Sequence, residues 1–165
     1  MGEYVDIYDE FKNLINEKIF RKKGEKAIPP QDRYTIVVLA IIENDNNEIL
    51  VQKTSPRKKG IWALSGGHVK SGETSIQGIQ EELHEEMNIL VNPKEITLFK
   101  TYKYDNTFKD VYYIKKNINL SDITLQEDEV EKVEYLSKEK IGKLIKNNNF
   151  RKTNLDALYD FYKER

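Results

Sequence analysis

The chain has no cysteine, which excludes a thiolate nucleophile, a cysteine-ligated zinc and a disulfide scaffold in one step. Long apolar runs are missing too. The largest, TIVVLAII from Thr35 to Ile42, falls far short of the roughly 20 residues that a membrane-spanning helix requires, so no membrane association is expected. Neither sign of charge dominates: 27 Lys and Arg stand against 28 Asp and Glu, for a net charge of -1. There is then no global basic field to hold nucleic acid, no stable nucleic-acid binding is expected, and an anionic substrate must be captured by local cations or a metal. The start, MGEYVDIYDEF, is acidic and lacks the basic region, apolar run and small-residue cleavage site of a secretory signal, which makes the cytoplasm the expected location.

What is present fits one domain spanning residues 1–165, with enough apolar sequence to bury a core without staples. Tyr4 to Arg21 alternates weakly and reads as an N-terminal hairpin or appendage over residues 1–31, although Phe11, Leu14, Ile15 and Ile19 also fit a helical stripe. Pro29-Pro30 closes a polar connector. Tyr34 to Ile42 is continuously apolar and rich in β-branched residues, as expected of a central strand buried on both faces. Ile49 to Val51 reads as its hairpin partner. A basic loop, TSPRKKG from Thr54 to Gly60, leads to a short strand from Ile61 to Ser65 and then to Gly66-Gly67. Glu73 to Met87 reads as a helix whose stripe of Ile76, Ile79, Leu83, Met87 and Leu90 packs on the sheet. Ile96 to Tyr104, Val111 to Lys115 and Val130 to Leu136 read as further strands. Ser137 caps a following helix and Asn154 to Tyr162 forms a last one. This order predicts an α/β (α+β) fold with a central mixed sheet and helices on both faces.

The chemistry concentrates between Gly67 and Ile89, GHVKSGETSIQGIQEELHEEMNI. Glu82 and Glu86 lie at i,i+4 and Glu82 and Glu85 at i,i+3, so the three carboxylates share one helix face. Like charges at this spacing cost only about 0.2–0.5 kcal/mol per pair, and a plain exposed acidic face is one reading. The second rests on the loop before the helix. Gly66, Gly67 and Gly72 permit close approach of a ligand or cation, and a backbone carbonyl beside several carboxylates is the hard-oxygen environment that Mg2+ or Mn2+ prefers.

This stretch resembles the Nudix box, G-x5-E-x7-R-E-U-x-E-E-x-G-U with U aliphatic, through Gly67, Glu73, Glu82, Leu83, Glu85, Glu86 and Ile89. The flanking order of strands is similar to the family's α/β/α sandwich, and EYVDIYDE resembles the leader of isoprenoid-isomerase-like members. Two positions depart from the pattern. Asn88 replaces a glycine, a mild change, since asparagine tolerates the left-handed C-cap. Glu81 replaces an arginine that in the family orients a neighbouring catalytic glutamate, and Lys70 is a candidate substitute.

The resemblance implies a metal-dependent hydrolase that cleaves the diphosphate linkage of a nucleoside diphosphate joined to another moiety, by water attack on phosphorus. Glu82, Glu85 and Glu86 would bind Mg2+ or Mn2+ with a Gly66 or Gly67 carbonyl, and Glu73 would support them, so Glu82, Glu85 and Glu73 are the catalytic candidates. Glu127, Glu129 and Glu131 are candidates for the general base, against a solvated acidic turn. Lys53, Arg57, Lys58 and Lys59 could meet phosphate oxygens and His68 could line the site, while His84 fits an exposed position. Tyr102, Tyr104, Tyr112 and Tyr113 could stack on a base, against ordinary core or rim positions, with Tyr104 also a faint pointer to dinucleoside polyphosphates. The isomerase reading is weakened by the missing cysteine. An ADP-ribose preference lacks the proline expected about fifteen residues past the box, where Lys103-Tyr104-Asp105 stands. A catalytically silent domain sensing a nucleotide is the alternative that Glu81 keeps open, and the sequence leaves a homodimer open as well.

Overall fold

The run from Thr35 to Ile42 is apolar throughout because both of its faces are covered. The computed structural model, which describes residues 1–165, places it in strand β3 (Thr35–Glu43). Ile36, Val38, Ala40 and Ile42 enter one core, while Leu39 and Ile41 enter a second on the other side of the sheet. Period-two alternation on a doubly covered strand consumes apolar residues at every position.

Before β3 come β1 (Gly2–Tyr8) and β2 (Leu14–Lys22), an antiparallel hairpin; of the two readings for this region, the strands are observed and the helical stripe is not. After β3 come β4 (Ile49–Thr54), β5 (Trp62–Ala63) and β6 (Ser65–His68), then helix α1 (Ser75–Met87). Strands β7 (Ile96–Lys103), β8 (Thr107–Lys115) and β9 (Val130–Leu136) follow, with α2 (Lys138–Lys146) and α3 (Leu155–Lys163) last. The seven strands β3 to β9 form one mixed sheet in which β3 and β8 run parallel and the other pairs are antiparallel. Helix α1 covers one face through Ile79, Leu83 and Met87. Helices α2 and α3 cover the other through Ile141, Ala157, Leu158 and Phe161. The result is the expected α/β/α sandwich.

Four local expectations are corrected. Strands β3 and β4 pair only at Glu43 and Ile49, because β6 takes the rest of that β3 edge and β4 turns instead to β5 and β9. Gly66 and Gly67 lie in β6, opposite Leu39 and Val38, not in a loop. The α1 stripe ends before Leu90, which is 75% exposed. Asn88 takes φ 55 at the C-cap, and the resulting turn sends Ile89 and Val91 into the core in its place. At the other end, Thr74 is the N-cap: its hydroxyl accepts from the Gln77 amide while the Gln77 side chain accepts from the Thr74 amide. This capping box starts the helix at Ser75 and leaves Glu73 outside it.

The hairpin is tied to the sandwich at three places. Val5 and Ile7, which alternate on β1, are each 1% exposed. The Asp6 carboxylate accepts from the Ser71 hydroxyl at 2.6 Å and the Gly72 amide at 2.9 Å. Lys12, at the hairpin tip, donates at 2.6 Å to Asp110, a buried carboxylate on β8 that also accepts from Ser75 and Thr101. Asp110 thus joins the hairpin, β7 and the first turn of α1. Removing one partner of a buried charge network strands the others, so Asp110→Ala should lower the unfolding free energy by about 3 kcal/mol in a urea titration, and an unchanged midpoint would contradict this account.

Candidate active site

Strand β6 and helix α1 meet so closely that side chain replaces side chain. A Cβ on Gly67 would collide with the Glu82 carboxyl group, and one on Gly66 would collide with the Val38 carbonyl oxygen. The two glycines therefore let β6 lie flat between β3 and α1, with the Glu82 carboxylate seated on the Gly67 backbone. A cavity of about 270 Å3 opens at this contact, walled by Gly66, Gly67 and His68, by Glu82, Glu85 and Glu86, by Glu129 and Gln126, and by Glu3, Arg21 and Lys23 of the hairpin.

Its carboxylates differ in how their charge is met. Burial, reinforced by the charges of Glu86 and Glu85, pushes the Glu82 carboxyl up to about 9. Burial also raises Glu86, to about 7, while a 2.6 Å hydrogen bond from the Ser65 hydroxyl, the Lys58 charge and a hydrogen bond from Gln52 pull against it. Glu85 is turned outward. Burial works to raise its carboxyl, but the Lys70 ammonium, donating at 2.6 Å, and a hydrogen bond from Glu81 outweigh it and hold Glu85 below the ordinary range. Glu81, at the position of the family arginine, shares that hydrogen bond with Glu85, which raises it. The cation beside Glu85 is Lys70, supplied by the loop before the helix.

Glu129 reaches the cavity because its loop is fastened to α1: the Thr124 amide donates to the Met87 carbonyl and the Gln126 amide to the Glu86 carbonyl. It is 7% exposed and paired with Lys58, and Lys23 stands 3.2 Å from its Oε1. Oε1 of Gln52 is buried and accepts no hydrogen bond. Burial, helped by the Arg21 charge, pushes the His68 imidazole down to about 4, so it lines the cavity as a neutral ring at pH 7.

Carboxylates of this type, beside an orphaned oxygen acceptor, are suited to a hard divalent cation. No three His, Cys, Asp or Glu side chains converge into a formed metal cage, since Lys70 holds Glu85 and Ser65 holds Glu86. The chemistry of the donors fits the ion.

Several candidates from the sequence lie elsewhere. Glu73 is outside the cavity and accepts from the Lys70 amide at 2.9 Å, closing the turn that carries Lys70. Lys53 pairs with Glu131 at 3.1 Å, and Arg57 lies 3.8 Å from both Asp128 and Glu129. Of the basic loop only Lys58 lines the cavity, and Glu127 and Glu131 do not. The Tyr104 hydroxyl donates to Asp156 of α3, Tyr102 donates to Asp160, Tyr113 to Glu43 and Tyr112 to Ser75, so these phenols are engaged away from the cavity. His84 is exposed. Conversely, Arg21, Lys23, Glu3 and Gln126 were not singled out by sequence reasoning. Weak alternation in Tyr4 to Arg21 indicated strands there, but no local signal showed where the hairpin docks.

The structure is thus an α/β/α sandwich with a carboxylate-walled cavity where a Gly-Gly strand meets a glutamate helix. The chain belongs to the Nudix family: the NUDIX domain model matches residues 33–158. It is 33% identical over 149 residues to an uncharacterized Nudix hydrolase of Listeria innocua and 31% identical over 149 residues to one of Listeria monocytogenes, each alignment covering 88% of this chain and 86% of the relative. Among solved structures, DR0079 from Deinococcus radiodurans shares the fold with a TM-score of 0.73 at 20% identity, over 94% of this chain and 96% of that one. The protein is accordingly a Nudix-type pyrophosphohydrolase, of a family that acts on nucleoside-diphosphate-linked substrates.

The raised Glu82 carboxyl gives a sign to test. With no cation bound, the folded chain retains a proton on Glu82 that the unfolded chain loses above 4.5, so stability should fall as pH rises from 4.5 toward about 9. In the presence of chelator, Glu82→Gln should therefore melt higher than the parent chain, by about 3 °C or more near neutral pH, with a gap that widens with pH. A gap independent of pH would contradict the assignment.

Proposed function

We propose that this pyrophosphohydrolase is Mg2+- or Mn2+-dependent and cleaves the diphosphate linkage of a small nucleotide in which a nucleoside diphosphate is joined to another group. The observation that carries the reading is the seating of Glu82 on Gly67, with Glu86 and Glu129 around the same cavity. Three carboxyl groups share that cavity: Glu129 beside Lys58 and Lys23, Glu86 on the Ser65 hydroxyl, and Glu82, which burial keeps protonated when no cation is bound. Glu82, Glu86 and a reoriented Glu85 would hold the metal, with a Gly66 or Gly67 carbonyl. When bound, a divalent ion lowers the pKa of a coordinated water and offsets charge on the phosphate.

The chain's own residues account for the rest. Glu129 is the candidate proton acceptor, because it is the acidic-loop glutamate that reaches the cavity. Lys58 and Lys23 hold its carboxylate in place. Ser65 and Gln52 orient Glu86, and His68, a neutral ring, walls the cavity without repelling a cation. The relatives' activities are compatible with a nucleotide. An ADP-ribose pyrophosphatase of Methanocaldococcus jannaschii is 32% identical over 92 residues, covering 56% of this chain and 53% of its own. A bifunctional Francisella tularensis enzyme of related fold, with a TM-score of 0.62 at 24% identity over 83% of this chain and 43% of its own, was crystallised with AMP and manganese.

A nucleotide sensor without turnover is the second reading, and Glu81 favours it. The Lys70 to Glu85 ion pair opposes it, since a cation stands beside Glu85 even though the pattern's arginine is absent. A screen of nucleoside diphosphate derivatives with each metal separates the two. The expected result is product formation that falls at least ~100-fold, the scale of losing a charge-stabilising group, in both Glu82→Gln and Glu86→Gln. Tight nucleotide binding by the parent chain with no turnover under either metal would establish the sensor instead.

A further inference from the structure

The hairpin that precedes the matched NUDIX region presents one side chain whose hydrogen-bonding capacity is largely unspent. Arg21 stands opposite Glu3 in the β1–β2 register, two residues along from the Val5 and Ile19 pair. Because alternation is strict over this part of the ladder, Arg21 shares the inward face of buried Val5, whereas Lys22 points to solvent. Its side chain is 17% exposed and makes one hydrogen bond, from Nη1 to Glu3 at 3.0 Å. Nε is buried and has no acceptor. A guanidinium carries five N–H donors in a rigid fork, and a buried donor without a partner is costly.

This fork faces the cavity described above. Arg21 and Lys23 line its hairpin wall and Lys58 lies near them, while Glu82, Glu85 and Glu86 line the wall formed by α1. Cations on one side and carboxylates on the other suit a phosphate bridging an arginine and a metal, since the planar fork matches two phosphate oxygens at once. The plain alternative is that Arg21 only staples the hairpin through Glu3. That role leaves the buried Nε donor without a partner. The hairpin is also held rigidly, by Asp6 on the box loop and by Lys12 on Asp110, so its wall is placed before any ligand arrives.

We propose that Arg21, assisted by Lys23, is a phosphate-binding subsite that the N-terminal hairpin contributes to the active site, and that it takes a phosphoryl group of the substrate's diphosphate. This rests on the diphosphate-hydrolase reading. The test uses calorimetric titration of inorganic pyrophosphate in Mg2+ into the full chain and into Arg21→Gln, Arg21→Lys and Glu3→Gln, alongside KM and kcat for any nucleotide that is hydrolysed. Arg21→Gln should weaken pyrophosphate binding at least tenfold and raise KM more than it lowers kcat, and Arg21→Lys should recover part of the loss. Glu3→Gln frees the arginine from its one partner and should bind pyrophosphate as tightly as the parent chain or more tightly. If Arg21 were only a staple, Glu3→Gln and Arg21→Gln would behave alike. That result overturns the proposal, as does unchanged pyrophosphate binding in Arg21→Gln or no binding by the parent chain. Should Arg21→Gln fail to fold, Arg21→Lys and Glu3→Gln decide by the same criteria: tenfold weaker binding in Glu3→Gln, or binding in Arg21→Lys equal to that of the parent chain with Glu3→Gln also weakened, refutes the subsite. The two readings fail separately. An Arg21-dependent pyrophosphate affinity in a chain that hydrolyses no nucleotide leaves the subsite and removes the hydrolase, whereas hydrolysis with Arg21-independent KM and affinity does the reverse.

Discussion

Everything at the active site depends on the contact between the Glu82 carboxylate and the Gly67 backbone. For β6 to lie between β3 and α1 it must give up side chains at Gly66, where the Val38 carbonyl stands, and at Gly67, where the Glu82 carboxyl group takes the space. A carboxylate enclosed in this way is costly unless something meets its charge. Around it the structure supplies partners for its neighbours, Ser65 for Glu86 and Lys70 for Glu85, and none of comparable strength for Glu82 itself. Glu82 is thus the least compensated carboxyl group of the site.

The departure at Glu81 illustrates how local substitutions are absorbed. An arginine one residue before Glu82 would reach Glu85 along the helix surface, as i,i+4 neighbours do. Here a glutamate occupies that position, and the ammonium beside Glu85 comes from Lys70 in the preceding loop. Glu73, though outside the helix and the cavity, fixes that loop by accepting from the Lys70 amide. Its contribution to the glutamate cluster therefore passes through the position of a cation.

The hairpin extends the same logic beyond the sandwich. Asp6 binds the turn at Ser71 and Gly72, and Lys12 crosses to buried Asp110, which also holds Ser75 at the start of α1. The hairpin that carries Arg21 is thus fastened to the turn just after Lys70 and, through Asp110, to the start of α1. A cavity that would otherwise have acidic walls acquires a cationic one from a stretch more than forty residues away in sequence.

The amino-acid sequence by itself determined the layers of the fold and the carboxylate face of α1. The alternation hidden in TIVVLAII, the Ile79, Leu83 and Met87 stripe, the caps at Ser137 and Asn88, and the i,i+3 and i,i+4 spacing of the glutamates are all local patterns, imposed by the periods of strand and helix. Leu90 misled because periodicity does not register the left-handed turn that ends a helix. Lys53, Arg57 and Tyr104 are residues of the right chemistry near the right place in sequence, yet their partners, Glu131, Asp128 and Asp156, come from distant segments. Only the tertiary structure decided which of several glutamates in the acidic loop reaches the cavity, which lysine stands beside Glu85, and that Arg21 faces the carboxylates. Those outcomes depend on how separately folded elements dock, and a contact between segments has no period along the chain from which it could be read.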